Sequence, residues 1–494
     1  MPSGPGGGAS RGLVADGAAR FREVFAGAGY DEAGLVDTLG PIQLPTRLGR
    51  DRAHFQHLTR RGRPLDTLIR LFLLGLSEDA DVAARALAPI PLEEWARAGL
   101  VASEGNRVRG AVRIMAFRSL LLASDHQGAR PDQVMGMTAS TVVLADSTIR
   151  RPVQSTLDLG TGGGVQAFLA TEHSQRVWAT DTSPRALDFA RFNAAFNGCG
   201  ERIEFLEGDA FEPVRGRTFD LVVSNPPFAL TPSRRFAYRD SGVPLDGFAR
   251  GLIQNAARCL NEGGFCQIVC DWAHIAGQDW KERLAEWFGG TGCDAWVMRT
   301  DTRDAASYAQ VWIRDTEETG EEESAQLYDE WLAHYARERI EAVSTGLVAI
   351  RKTSGRPNWL RIEDGPEGNS GPFGEYMLRG FGLRDFLEAA SDGALLGTKL
   401  HVAESVRLDH VCGWQDSSWL IRSAKIRLAQ GLQYEANTDL RLAGMMALCD
   451  GRHTLAEILE KTAQTLGEDV QRITPNSVAL MRQLIERGFL LPAE

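Results

Sequence analysis

Four consecutive residues, Asn225-Pro226-Pro227-Phe228, close an apolar run that begins at Phe219. The run predicts a strand, and open α/β sheets bind their ligands beyond the carboxyl ends of strands. Two prolines fix φ and remove two backbone donors, so the side-chain oxygen of Asn225 and the carbonyl of Pro226 are left as rigid acceptors. A planar amino group offers two N–H donors to match them. Acceptors that hold both hydrogens favour pyramidalisation of a nitrogen whose lone pair is delocalised, and no strong general base is needed. Phe228 supplies a flat face for stacking and for excluding water.

Upstream, Ser155-Thr-Leu-Asp158-Leu-Gly160-Thr161-Gly162-Gly-Gly164 reads as a strand running into a glycine loop, with a helix opening at Val165. Gly160, Gly162 and Gly164 allow a sharp turn and a close approach to a ligand. A dinucleotide fingerprint requires its third glycine or alanine three residues after the second, and Val165 stands there instead. The spacing disfavours a pyrophosphate. S-adenosylmethionine carries no phosphate and needs a loop for its amino-acid end, an acid for its ribose and a pocket for its adenine. Asp181, with Thr182 behind it, ends the second strand about 20 residues past the loop and can accept from two ribose hydroxyls. Asp209 and the backbone N–H of Ala210 follow the third strand, where they can read an adenine edge. Asp158 orders the loop, to which Thr161 also belongs, and faces the cofactor's ammonium group; Asn225 borders the same pocket. Any one acid alone reads as a cap or a surface residue. Their recurrence at successive strand ends carries the assignment.

The segment from Thr156 to Phe228 resembles the small-domain class I methyltransferases, which include the HemK/PrmC-type protein-glutamine N5 methyltransferases and relatives acting on RNA. Asp158 to Gly164 resembles their cofactor loop, and Asn225 to Phe228 matches their (Asn/Asp)-Pro-Pro-(Tyr/Phe) signature. The resemblance implies S-adenosylmethionine as cofactor, Asn225 and Pro226 at the target nitrogen, and a contact acid at Asp181. The HemK type usually ends its motif in tyrosine, whereas phenylalanine is commoner in relatives that methylate guanine. Those relatives often continue with histidine, where this chain has Ala229. The expected activity is methyl transfer to a planar nitrogen, with a glutamine side chain of a protein such as a translation factor as the first acceptor. A guanine N2 or adenine N6 in RNA or DNA is the alternative. A relict protein that binds S-adenosylmethionine without turnover is the third reading. No metal is expected.

These residues need a scaffold, and 494 residues allow two to four domains of about 100–200 residues each. The expected architecture is α/β, with a Rossmann-like, seven-stranded class I methyltransferase domain between α+β, winged-helix-like domains at both ends. Residues 1–20, rich in Gly, Pro and Ser, read as a disordered tail. Residues 21–135 hold a helix from Leu68 to Leu76, helices near 81–88 and 91–98, and a hairpin from Val101 to Met115. Residues 136–314 repeat strand, turn and helix, with strands at Ser155–Leu159, Arg176–Thr180, Ile203–Leu206, Phe219–Ser224, Gly264–Cys270, Ala295–Arg299 and Ala309–Ile313. Leu347–Arg351 is the alternative last strand. The acidic run from Asp315 opens a linker or insertion over 315–398. Residues 399–494 form the second winged-helix-like domain, with helices near 439–449, 454–465 and 475–487.

The formal net charge of −11 argues against a protein that coats nucleic acid, although Arg47 to Arg63 concentrates six arginines against one aspartate. Seven scattered cysteines read as buried, reduced thiols rather than disulfides or a zinc site. No apolar stretch reaches the roughly 18–20 residues of a membrane span, and the N-terminus lacks a signal-peptide core. A cytoplasmic protein without a membrane partner is expected.

Overall fold

A computed structural model describes residues 13–40, 48–126, 128, 130–232, 235–317 and 320–493. It divides into one unit of Met1–Ala145 with Arg151–Glu363 and a second of Asp146–Arg150 with Asp364–Glu494. Most of the expected tail lies outside the described residues, but helix α1, Ala18–Gly27, already occupies its last residues. Arg47 and the side chain of Arg50, from the arginine-rich stretch, are also outside them.

The first unit continues with α2 (Glu32–Leu39), α3 (Leu48–Leu58) and α4 (Pro64–Leu68), which widens into a π turn over Ile69–Leu73. Then come β1 (Ser77–Asp79), α5 (Ala80–Leu87), α6 (Leu92–Arg97), β2 (Val101–Glu104) and β3 (Arg107–Gly110). The three strands lie in the order β1-β3-β2, the arrangement of a winged helix. The hairpin expected to reach Met115 stops at Gly110, where a Cβ would stand 2.4 Å from the Leu71 carbonyl oxygen. Arg113–Phe117 (β4) pairs instead with Leu120–Ser124 (β5). Phe21, Phe25, Phe72 and Trp95 pack ring against ring at the centre of this region.

After α7 (Ala139–Ser147) the chain enters the large sheet through β6 (Val153–Leu159), α8 (Val165–Ala170), β7 (Ser174–Asp181), α9 (Pro184–Asn197), β8 (Ile203–Glu207) and β9 (Phe219–Ser224). It continues through α10 (Gly247–Cys259), β10 (Leu260–Ile275), α11 (Trp280–Ala285), β11 (Cys293–Asp304), α12 (Ala305–Thr316), α13 (Glu321–Glu338), β12 (Ile340–Lys352) and β13 (Leu360–Asp364). The sheet order is β13-β11-β12-β10-β9-β6-β7-β8. β6 through β10 pair in parallel, and β12 runs antiparallel to both β10 and β11. This is the Rossmann-like methyltransferase sheet with an eighth strand at its edge, rather than seven.

Ala309–Ile313 is helix, not strand. Asp304 caps α12 by accepting from the Ser307 N–H at 2.9 Å, and the inward residues Tyr308, Ala309 and Ile313 follow a helical spacing. The antiparallel strand is β12, which contains the alternative, Leu347–Arg351. The acidic run does not form a linker throughout. Glu321, Glu322 and Glu323 make the first turn of α13, where carboxylates favour the positive end of the helix dipole. The boundary expected at 314 therefore cuts through α12, and the sheet ends only at Asp364.

The second unit starts at Asp364 rather than 399. It holds β14 (Asn369–Ser370), α14 (Gly374–Ala389), α15 (Asp392–Leu396), β15 (Lys399–Val402), β16 (Val406–Gln415), β17 (Ser418–Leu428), β18 (Gly431–Leu432) and β19 (Glu435–Thr438). α16 (Leu440–Ala447), β20 (Asp450–Thr454), α17 (Leu455–Leu466), α18 (Val470–Glu486) and β21 (Leu490–Pro492) complete it. Helix, strand, two helices and strand repeat the winged-helix order here, and β15 supplies the middle strand between β20 and β21. The cysteines are free thiols, four of them buried, but Cys412 on β16 is exposed, against the expectation of buried thiols throughout. No helix among the described residues is long and apolar enough to cross a membrane.

Two asparagines on α9 join the N-terminal region to the sheet. Asn193 Oδ1 accepts from the Ala123 N–H at 2.8 Å, and its Nδ2 donates to the carbonyls of Ala123 and Gly163, each at 3.0 Å. One turn on, Asn197 repeats the exchange with Leu121, accepting at 2.9 Å and donating at 2.8 Å. Four residues of helix rise about 6.0 Å and two of strand about 6.7 Å, so each amide meets the N–H and C=O of one outward residue of β5. Phe25 packs on Phe196 of the same helix, which makes the core continuous. Asn193→Ala is expected to lower stability by about 2–4 kcal/mol in urea unfolding, because it strands buried peptide groups. A change below about 0.5 kcal/mol would refute the role of this amide.

Candidate functional site

Strand register brings the chemistry together. Leu159 pairs with Thr180 on one side and with Ser224 on the other, and Asp181 pairs with Glu207. The loops that begin at Gly160, Thr182, Gly208 and Asn225 therefore leave one edge of the sheet side by side. Connections from β6 and β9 depart in opposite directions, which opens a crevice at this switch point.

In the glycine loop, φ is +69° at Gly160 and +54° at Gly162, a left-handed backbone that side chains disfavour. A Cβ at either position would meet no protein atom within 4 Å, so these two glycines border open space. Gly164 differs, because a Cβ there would lie 2.2 Å from the Phe168 ring. Asp158 is buried, and its Oδ2 accepts from the Thr161 hydroxyl at 2.6 Å and the Ala167 N–H at 2.9 Å. One carboxylate oxygen thus pins both ends of the loop. Burial pushes this carboxyl up to about 7 against the pull of those donors, and neighbouring Asp181 adds to the rise.

Asp181 accepts from the Gly162 N–H at 2.8 Å and the Ser183 N–H at 2.9 Å, one on each oxygen. Burial raises its pKa as well, although the backbone donors oppose the shift. Each oxygen retains a lone pair for a further donor. Thr182 is exposed beside it. Asp209 is exposed at the end of β8, and Ala210 sits at φ +46°, an uncommon conformation for a residue with a Cβ. A loop bordering open space and two desolvated carboxylates fit a ligand with cationic and hydroxyl donors; they would repel a phosphate.

Asn225 Nδ2 donates to the Thr141 hydroxyl oxygen at 3.3 Å. Its Oδ1 is buried and has no hydrogen-bond partner among the described residues. An unpaired buried acceptor costs about 1–3 kcal/mol, a cost that a donor from outside the chain would relieve. Pro226 is buried, while Pro227 and Phe228 are half-buried. The Phe228 ring meets Trp312 of α12 at 6.2 Å between centroids and 74° between planes.

Sequence reasoning missed Thr141 and Trp312. Thr138, Ser140 and Thr141 form a hydroxyl cluster at the start of α7, with Thr138 Oγ1 at 2.7 Å from Thr141 Oγ1. That run of hydroxyls before an apolar helix was a readable cap signal. Trp312 was hidden by reading its segment as a strand.

Residues 137–292 match the family described as methyltransferase small domain. Residues 27–111 and 379–492 match two families described as domains of unknown function, DUF7059 and DUF7782. A release factor glutamine methyltransferase from Cereibacter sphaeroides is 32% identical over 230 residues, covering 40% of this chain and 79% of that protein. One from Chlorobaculum tepidum is 48% identical over 179 residues, covering 33% and 57%. A ribosomal protein uL3 glutamine methyltransferase from Bradyrhizobium diazoefficiens is 34% identical over 141 residues, covering 26% and 44%. The chain thus spans less than two thirds of the latter two.

The raised carboxyls set a sign for cofactor binding. A cationic ligand favours ionised Asp158 and Asp181, both raised by burial, so affinity for S-adenosylmethionine is expected to increase with pH, for Asp158 through about 7. Calorimetry at pH 6 and pH 8 should differ by up to about tenfold, and Asp181→Ala should weaken binding by about tenfold or more at either pH. Equal affinities at the two pH values would remove Asp158 and Asp181 from the ligand's charge environment. By fold, by strand-end geometry and by kinship, the chain belongs to the HemK/PrmC-like, small-domain family of class I S-adenosylmethionine-dependent methyltransferases.

Proposed function

We propose that the chain methylates the side-chain amide nitrogen of a glutamine in a protein, with a translation factor or ribosomal protein as acceptor. The observation that carries this reading is the buried, unpartnered Oδ1 of Asn225 beside an Nδ2 already tied to Thr141. Thr141 takes one N–H of this amide and so fixes which way it faces, leaving Oδ1 as the acceptor for the incoming group. A primary amide brings two N–H donors. The relatives named for glutamine methylation of a release factor and of uL3 support the same acceptor class.

Gly160, Gly162, Asp181, Asp209 and the Ala210 N–H would hold S-adenosylmethionine, which supplies an electrophilic methyl group on its sulfonium when bound. Asn225 Oδ1 accepts a hydrogen bond from one N–H of the acceptor amide and the Pro226 carbonyl from the other, and the one proton the methylated nitrogen sheds passes to water. Both interactions strengthen as the nitrogen leaves conjugation and its hydrogens become more acidic, so they act mainly in the transition state. Pro226 and Pro227 keep the acceptors from relaxing away, and Phe228 covers the flat amide.

Transfer of labelled methyl groups to a cell extract tests the acceptor. The label should resist nuclease, be lost to protease, and be released by acid hydrolysis as methylamine, the amine an N-methylated amide yields. Label destroyed by nuclease would overturn the reading in favour of a nucleic-acid base. Asn225→Ala should lower turnover about a hundredfold or more, and Asn225→Asp, which keeps an acceptor oxygen, should retain more activity than alanine. Cofactor affinity should change much less in both, and a fully active Asn225→Ala would eliminate the catalytic assignment.

A further inference from the structure

The helices α12 and α13, inserted between β11 and β12, hold the segment that follows the Asn-Pro-Pro-Phe motif. Tyr308, Trp312 and Thr316 lie four residues apart on α12, so they share one face of the helix. Each meets a different point of that segment. The Tyr308 hydroxyl accepts from the Leu230 N–H at 3.2 Å and donates to Asp271 Oδ2 at 2.5 Å. Trp312 sets its ring against Phe228. Thr316 accepts from Arg239 Nη1 at 2.6 Å, and the same nitrogen reaches Glu317 at 2.9 Å.

From α13, the Tyr335 hydroxyl donates to the Leu230 carbonyl at 2.8 Å, so both peptide groups of Leu230 end on tyrosines of the insertion. Asp271 is itself fixed on its other oxygen by the Thr345 hydroxyl at 2.6 Å. The Arg239 guanidinium is fully buried and lies over the ring of Trp331, one turn before Tyr335. A charged side chain buried this deeply is tolerated only with its partners in place, so Arg239 stays tied to Asp240, Thr316 and Glu317.

We infer that this insertion is the specificity element of the methyl-transfer site: α12 and α13 position the post-motif segment, and Trp312 forms with Phe228 the aromatic corner that receives the acceptor group. The inference rests on the proposed reading that a side-chain amide is the acceptor. Tyr308, Tyr335 and Arg239 are positioning residues, acting through Leu230 and the loop. Trp312 meets Phe228 edge to face, and this corner suits a small planar amide flanked by polypeptide.

The test uses the full chain with Tyr308→Phe, Trp312→Ala and Trp312→Phe. S-adenosylhomocysteine affinity by calorimetry should stay within about threefold in all three, which shows that the cofactor side is intact. Hydrogen exchange in the peptide containing Leu230 should be about tenfold faster or more in Tyr308→Phe, since its N–H loses its acceptor. With tritiated S-adenosylmethionine and nuclease-treated extract protein, Trp312→Ala should raise the extract concentration needed for half-maximal transfer about tenfold, and Trp312→Phe should recover most of that loss. Unchanged exchange in Tyr308→Phe, or an unchanged half-maximal concentration in Trp312→Ala, overturns the inference. Label that enters untreated extract but not nuclease-treated protein would overturn the acceptor reading, while the exchange result would still decide whether the insertion holds the loop.

Discussion

The pairing of Leu159 with Ser224 is the constraint on which the site depends. It places the first and fourth strands of the catalytic sheet in contact, although their own connections leave in opposite directions. The Ser224 hydroxyl donates to the Leu159 carbonyl at 2.7 Å and locks the two strand ends at the same height. A slip of one residue would turn every side chain of β9 to the other face of the sheet and carry Asn225 away from the glycine loop. The glycine loop and the Asn-Pro-Pro-Phe motif are thus neighbours because of a backbone ladder, before any side chain recognises a ligand.

Around that ladder the sheet concentrates negative charge where water is scarce. Asp158 and Asp181 each prefer the protonated form more than a free carboxyl does, because burial outweighs the backbone donors aimed at them. For Asp158, folding is therefore favoured most below pH about 4, and this contribution is lost as pH rises to about 7. A cationic ligand offsets the penalty by supplying the missing countercharge.

Much of this was legible because the demands are local. Left-handed glycines, a strand ending in two prolines and acids at strand ends are properties of short segments, and the structure brings Gly160, Asp181 and Asn225 to one edge as their spacing required. What could not be read is what depends on distant partners. Thr141 lies 84 residues from Asn225, Tyr308 lies 78 residues from Leu230, and Tyr335 lies 105 from it. A short, largely apolar run such as Ala309–Ile313 fits strand and helix alike, and the arbiter was the cap at Asp304 just upstream. The acidic run misled for a related reason: three glutamates repel one another in a coil but are favoured at a helix start.

The asparagine pair on α9 has a consequence for the chain's behaviour among its own copies. β5 belongs to a two-stranded sheet, so its outer edge would ordinarily expose peptide groups that can recruit a strand from another molecule. Asn193 and Asn197 occupy those groups with side-chain amides, imitating a neighbouring strand that the fold does not possess. A helix thereby seals a sheet edge without adding a strand, and self-association through β5 is blocked by the same contacts that join the two halves of the unit.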